Sequence, residues 1–428
     1  MNVVPPRREA PRPFSYKEAL AWLYSLQRFG IKLGLENIRR FIAELGIDFQ
    51  EARVIHVAGT NGKGSVCAMI DAICRAGKYR TGLFTSPHLV TFRERIRVNG
   101  EMISEDEVAS GLTNIQNLVA NWDPHPTFFE ITTALALKHF CNSQIEVVVL
   151  ETGLGGRLDA TNAVQSNVSV ITPIGLDHEE WLGDSIEKIA SEKAAIIKSK
   201  TPVVSAPQLA EAEKVIRARA AECAAPLQFV DQPYTKSPLA LRGEYQKLNA
   251  AIAIAAIGAS KLDCFKQSSL ARPEIDLNET AIARGLATIE WPGRFQCWDK
   301  RTVVDGAHNP AAAKILVETW REIFGDQRAT VILAVLSDKD LRGICEALTP
   351  IAGSFLLPKI RTERAADPEE LATILASVCP TICGSFGEAL KTARAQSEPI
   401  LITGSLHFAG EALAHLQGQI AAFEECAQ

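Results

Sequence analysis

The sequence predicts an α/β protein: a doubly wound, mainly parallel sheet followed by a second, smaller α/β domain. Three observations carry that prediction. An apolar run at residues 54–58 leads through a glycine-rich loop into an amphipathic helix that stops at Gly77. Continuous apolar runs recur at 146–151 and 167–172, as parallel strands buried on both faces require, with helical patterns between and after them. The strand and helix alternation restarts after Trp291-Pro292-Gly293-Arg294.

In chain order, residues 1–13 hold four prolines and three arginines without an apolar segment, which reads as a disordered tail and not a signal peptide. Helical patterns cover 15–29 and 36–45. Residues 81–85 form a short strand ending in Ser86-Pro87-His88, a turn expected to leave Ser86 and His88 exposed. A helix over 129–141 leads into the strand 146–151, with Glu151 at its carboxyl end. Open α/β sheets bind ligands just beyond that end, where an acidic residue can hold magnesium. The strand 167–172 is followed by Asp177-His178 and a helix over 185–198. Residues 245–260 make an Ala- and Ile-rich helix. A strand at 302–304 ends in Asp305, Asn309-Pro310 is a good N-cap and first-turn pair, and 330–335 and 399–403 are further buried strands. The domain boundary is placed near Glu290, dividing the chain into 14–290 and 291–428.

The loop Gly59-Thr60-Asn61-Gly62-Lys63-Gly64-Ser65 suits phosphate. Glycines let backbone N–H groups approach an anion, the helix N-terminus adds positive partial charge, and Lys63 supplies a point charge. It departs from the strict phosphate-loop pattern, because the first glycine would fall at Val57 and Gly64 separates Lys63 from Ser65. A simple strand-to-helix turn with an incidental lysine is the alternative.

Bulk properties exclude other classes. With 428 residues, 47% of them hydrophobic, the chain has material for sizeable cores and two or three domains. A net charge of −5 gives no basic field for nucleic acid or a membrane surface. The ten cysteines lack a zinc or redox spacing, Cys379 and Cys383 being C-x3-C, and read as reduced thiols. The longest apolar stretch, 250–259, is too short to span a bilayer. A cytoplasmic protein is expected.

Helix 185–198 holds an anomaly. Ile186, Ile189, Ala190 and Ile197 form its apolar stripe, and Lys193 falls on the same stripe. A desolvated lysine has a lowered pKa and more neutral amine. Snorkelling at the stripe's edge, or pairing with a carboxylate, is the more ordinary explanation of such a position.

Taken together, these blocks resemble the folylpolyglutamate synthase family of the Mur ligase superfamily, many of whose bacterial members add dihydrofolate synthase activity. The resemblance runs through Gly30-Ile-Lys-Leu-Gly-Leu35, the loop 59–65, Thr85-Ser-Pro-His-Leu89, Glu151-Thr-Gly-Leu-Gly-Gly-Arg-Leu-Asp-Ala-Thr-Asn162, Asp177-His-Glu-Glu-Trp-Leu-Gly183, Glu192-Lys-Ala-Ala-Ile-Ile197, Pro292-Gly-Arg-Phe-Gln296, Asp305-Gly-Ala-His-Asn-Pro310 and Ser337-Asp-Lys-Asp340. It implies a P-loop ATPase-like first domain and a Rossmann-like glutamate-ligase domain. By the same similarity, ATP is held by Gly59, Thr60, Asn61, Gly62, Lys63, Gly64 and Ser65, with Asn249, Arg294 and Asp305. Ser86, Glu151 and His178 are implied as Mg2+ ligands, with two ions expected. Lys193 matches the family lysine that carries a carbamate, which makes Lys63, Glu151, His178 and Lys193 the catalytic set. Thr127, Phe129 and Asp159 resemble pterin-site residues, and His308 and Ser405 resemble glutamate-site residues.

The implied reaction is ligation of L-glutamate to dihydropteroate and to tetrahydrofolates, driven by ATP through an acyl phosphate. A monomer is expected, with small-molecule partners only. A monofunctional folylpolyglutamate synthase, a muramyl ligase and a nucleotide-dependent switch are the alternatives. Small departures, Ala195 where glycine is common and Thr152 where valine is common, touch no implied ligand.

Overall fold

The computed structural model describes residues 13–29, 34–262 and 277–424. The expected tail, apart from Pro13, and the stretch 30–33 of the first family block lie outside these. Fourteen strands among the described residues form two sheets. The first contains β1 (Arg53–Ala58), β2 (Thr81–Phe84), β3 (Ile96–Val98), β4 (Glu101–Met102), β5 (Val147–Glu151), β6 (Val168–Ile171), β7 (Val203–Ser205) and β8 (Leu227–Phe229), in the order β4-β3-β2-β5-β1-β6-β7-β8. The core of this sheet is parallel; β3 and β4 add an antiparallel edge.

The second contains β9 (Gln296–Cys297), β10 (Thr302–Val304), β11 (Ala329–Leu333), β12 (Ala352–Pro358), β13 (Thr381–Cys383) and β14 (Ile400–Thr403), in the order β13-β12-β11-β14-β10-β9. Only β9 runs antiparallel. The central parallel strands are buried on both faces, which explains their unbroken apolar runs: Val147, Val148, Val149 and Leu150 are all fully inaccessible.

In the first sheet the chain leaves β1 for β2, returns to β5 beside β1, then crosses to β6 on the other side. The carboxyl end of β1 is therefore a topological switch point, where successive loops diverge and leave a crevice. The glycine loop fills it. Helix Lys63–Ala76 starts there and is buried along most of its length, packed against helices Glu244–Ala259 and Glu279–Thr288. Gly285 permits that packing, since a Cβ would lie 2.6 Å from Ile73 Cα.

Two local expectations need correction. Helix 185–198 is shorter, ending at Ala194 and turning at 195–200, so Ile196 and Ile197 are buried from a turn. His88 is not exposed; it is 2% accessible, with Arg95 Nε donating to its Nδ1 at 2.9 Å. The turn folds inward because β3, Arg95 and the segment near Glu424 cover it.

Candidate active site

The glycine loop is shaped by backbone constraints. Gly59 has φ 148° and Gly62 φ 88°, both unfavourable for other residues, and a Cβ on Gly59 would run into Thr172. Asn249, 4% accessible, lies over Gly62 and donates to Gln246 Oε1 at 2.9 Å, while Gln246 Nε2 approaches Ser65 Oγ at 3.5 Å. Trp291 covers Gly64. The helix Lys63–Ala76 thus begins against polar side chains of Glu244–Ala259, the arrangement that a phosphate group with an attached base would need.

Two lysine amines converge on one acceptor. Lys63 Nζ donates to Gly59 O at 3.1 Å and to Thr60 O at 3.2 Å; Lys193 Nζ donates to the same Gly59 O at 2.8 Å. Lys193 is 5% accessible, and burial, reinforced by the Lys63 charge, lowers its pKa to about 7. Of the readings left open for this lysine the inward one holds: the amine does not snorkel to solvent, and among the described residues it makes no ion pair.

At the carboxyl end of β5, Glu151 is buried and accepts the Ser86 N–H at 3.0 Å. Burial raises its carboxyl pKa, with Lys63 opposing. A buried carboxylate facing a lysine and a serine turn is chemically suited to a hard cation, which would restore the charge that burial disfavours. Neighbouring strand positions explain the meeting, because Phe84 of β2 pairs with Leu150 of β5. Among the described residues no three His, Cys, Asp or Glu side chains are grouped as a metal site. Ser86, Glu151 and Arg294 line a small cavity together with Gly64 and Trp291.

His178 caps the one-turn helix Glu179–Leu182 from the left-handed region, φ 54°. It lines a larger cleft of about 760 Å³ between the two sheets, and desolvation there lowers its pKa to about 4 although two-fifths of its side chain is accessible. Thr127, Phe129, Asp159 and His308 line the same cleft. Thr127 N-caps helix Phe128–Asn142 in a capping box with Glu130. Asp159, whose pKa burial raises, folds the 153–161 loop by accepting the N–H groups of Gly153, Leu154 and Thr161 at 2.9–3.0 Å.

The second sheet's residues divide. Asp305 is buried, its pKa raised by burial, and it accepts Phe295 N at 2.7 Å and Ala307 N at 2.8 Å, so it orders the turn beside Arg294. Ser405 is 1% accessible; its hydroxyl N-caps helix Leu406–Leu416 and lines neither cleft.

Sequence reasoning assigned no role to three groups that join the two halves. Asn309, read only as a helix cap, does cap Pro310–Phe324 and also donates to Asn61 Oδ1 at 3.1 Å. Asp177 meets Lys339 at 2.9 Å, with His308 and His178 at 3.7 and 3.8 Å. Although burial opposes it, these cationic and hydrogen-bonding neighbours hold the Asp177 carboxyl well below the usual range. Asp177 and Lys339 both stood in the quoted blocks. Their pairing spans 162 positions and had no local signal.

Two protein families match this chain: the Mur ligase middle domain over residues 57–221 and the Mur ligase glutamate ligase domain over 293–406. The dihydrofolate synthase/folylpolyglutamate synthase of Bacillus subtilis is 34% identical over 430 residues, covering 92% of this chain and 97% of that protein. Escherichia coli FolC in complex with DHPP and ADP superposes with a TM-score of 0.83 at 32% identity, covering 96% and 99% of the two chains. The bifunctional folylpolyglutamate synthase/dihydrofolate synthase of Yersinia pestis, complexed with AMPPNP and Mn ion, gives 0.83 at 30%, covering 95% and 98%.

Proposed function

The chain belongs to the dihydrofolate synthase/folylpolyglutamate synthase family of Mur ligases, and from that membership we propose how its own residues ligate glutamate to folates. The enzyme is an ATP-dependent, ADP-forming carboxylate–amine ligase. One observation carries the assignment of roles: the glycine loop opens where residues of both sheets meet, with Asn309 touching Asn61 and His178 facing His308 across Asp177.

In this reading the N–H groups of 59–65 and the Lys63 ammonium hold the ATP phosphates, while Asn249, Arg294 and Asp305 lie around the rest of the nucleotide. The folate carboxylate oxygen attacks the γ-phosphorus, the bond from that phosphorus to the β–γ bridging oxygen breaks, and ADP leaves with the electron pair. The amine of L-glutamate then attacks the acyl carbon, phosphate departs, and the amine proton is lost. Thr127, Phe129 and Asp159 form the pterin wall of the large cleft. His308 faces the incoming glutamate there, and Ser405 supports that side through its helix cap. A divalent cation held by Ser86, Glu151 and His178 would neutralise phosphate charge. The fit rests on the buried Glu151 carboxylate.

Lys193 joins the same centre as a carbamate. Its lone pair adds to the carbon of CO2, one C–O π pair moves to oxygen, and a proton goes to solvent, giving a carboxylate that can serve a second cation. Support comes from burial, the lowered pKa and the crowding of two amines on Gly59 O. Both dihydropteroate and tetrahydrofolates are substrates on this reading, and a cytoplasmic monomer divided near Glu290 is the working form. Among the described residues no helix is long and apolar enough to cross a membrane.

The test is ADP release with ATP, Mg2+ and L-glutamate, adding dihydropteroate in one reaction and tetrahydrofolate in another. Release with both, matched by glutamylated product, is expected. Release with tetrahydrofolate alone would leave a monofunctional polyglutamate synthase, and glutamate-independent hydrolysis would overturn the ligase reading.

A further inference from the structure

The Ser86 turn is held from outside by one residue of the segment that follows the last long helix, Leu406–Leu416. Glu424 bonds to four of the residues 88–92, namely His88, Val90, Thr91 and Phe92, and to their neighbour Tyr16. Its carboxylate accepts the Phe92 N–H at 2.5 Å, the Thr91 hydroxyl at 3.1 Å and the Tyr16 hydroxyl at 3.0 Å. Its backbone N–H donates to Val90 O at 2.8 Å, and its carbonyl lies 3.0 Å from His88 Nε2. Arg95 donates to Nδ1 of that histidine, so Nδ1 is the acceptor and the proton sits on Nε2, where it donates to the Glu424 carbonyl. The tautomer is thereby set from both sides.

The loop between these contacts is stiff. Glu94 accepts the N–H groups of Leu89, Val90 and Thr91 at 2.8–2.9 Å, and Leu89 packs in the apolar cluster of the second sheet, with its backbone against Gly410. Two residues before His88 and three before Leu89 stands Ser86, whose N–H binds Glu151. A displacement of His88 or Leu89 therefore moves Ser86 relative to Glu151. Burial raises the Glu424 carboxyl pKa, consistent with a group enclosed by this network.

We propose that Glu424 is a positioning residue, strapping the second domain to the 88–92 loop so that Ser86 is presented to the nucleotide and its cation. The proposal rests on the reading of Ser86 given above. Glu424 touches no substrate in it; the effect passes through His88 and the loop backbone. The carboxylate provides the hydrogen bonds, not a required charge. An amide can replace it, since the Tyr16 and Thr91 hydroxyls can turn to accept.

The experiment compares Glu424→Ala, Glu424→Gln and Ser86→Ala in the full-length enzyme, measuring KM for MgATP, KM for the folate and kcat. Glu424→Ala is expected to raise KM for MgATP by about tenfold with a folate KM within about twofold, the loss of about one hydrogen bond's worth of positioning. Glu424→Gln should restore the wild-type value, and Ser86→Ala should raise the same constant. If Glu424→Ala lowers thermal stability but leaves KM for MgATP unchanged, the residue is only structural and the proposal fails, whatever Ser86→Ala does. If Glu424→Ala raises that constant while Ser86→Ala leaves it unchanged, both the strap's route and the Ser86 reading fall. Should Glu424→Ala not fold, Tyr16→Phe removes one hydroxyl from the same carboxylate, and an unchanged KM for MgATP would again refute the idea.

Discussion

Replacing Lys193 by methionine should make the enzyme more stable and inactive together. The side chain is enclosed, makes one hydrogen bond to Gly59 O, and has its pKa lowered from 10.5 to about 7. At pH 8 about nine-tenths of such amines are neutral, against roughly 0.3% for an ordinary lysine, about a 300-fold enrichment of the form that captures CO2. The same drop carries a folding cost. Between about pH 7 and 10.5 the unfolded chain holds a proton on Lys193 that the folded chain does not, so stability rises with pH across that window. Below pH 7 the penalty is complete, on the order of 5 kcal/mol before relaxation. Losing the Gly59 hydrogen bond takes back about 1 kcal/mol. In CO2-depleted buffer at pH 6, Lys193→Met should therefore melt several degrees above wild type, with the gap closing towards pH 10. Ligation should fall by at least about 100-fold, as expected for removal of a charge-stabilising group. Differential scanning calorimetry and ADP release provide the readouts. A methionine variant less stable at pH 6, or one with wild-type turnover, would refute the reasoning, and 13C-bicarbonate labelling that gives no carbamate carbon signal in wild type would refute the carbamate.

Gly59→Ala forces a Cβ into Thr172 from a positive φ, and should abolish nucleotide binding measured by calorimetric titration while most of the sheet core stays folded. Glu151→Gln should remove most ligase activity. In wild type the raised Glu151 pKa should place the acid limb of cation affinity above the ordinary carboxylate range, with affinity falling as pH drops, which a Mg2+ titration at several pH values would record. Asp177→Asn removes the 2.9 Å partner of the Lys339 ammonium, whose side chain is 9% accessible, and leaves it the longer contact to Asp338 at 3.5 Å. A loss of about 2 kcal/mol in urea unfolding is expected, and a change below about 0.5 kcal/mol would show the pair to be solvated. Lys63→Ala and His178→Ala should each abolish ligation without altering the far-ultraviolet circular dichroism, and wild-type turnover in either would remove it from the site.

Much of the site was legible because its signals are local. A glycine loop between a β-rich run and a helical stripe, Glu151 closing an apolar run, Asn309 before Pro310 and Lys193 on an apolar face all follow from spacing within a few residues. Strands such as β7, β8 and β13 were missed because three residues carry no period, and helix Glu105–Val119 went unread although its capping box, Ser104 with Glu107, is a local signature. The burial of His88 was misjudged because a Ser-Pro-His turn normally faces water. Here Arg95 and Glu424 close over it, the latter from 336 positions away.

By itself, then, the chain's sequence determined the α/β class, a glycine loop between a strand and a helix, a lysine placed on an apolar stripe and the family, since each depends on short-range periodicity or on ordered blocks. Only the tertiary structure decided that β1 lies between β5 and β6, that Lys63 and Lys193 share the Gly59 carbonyl, and that Asp177 and Lys339 pair across the cleft. These are contacts between segments far apart in the chain, and their geometry follows from which strands become neighbours, a choice made by the packing of whole faces and not by any one stretch.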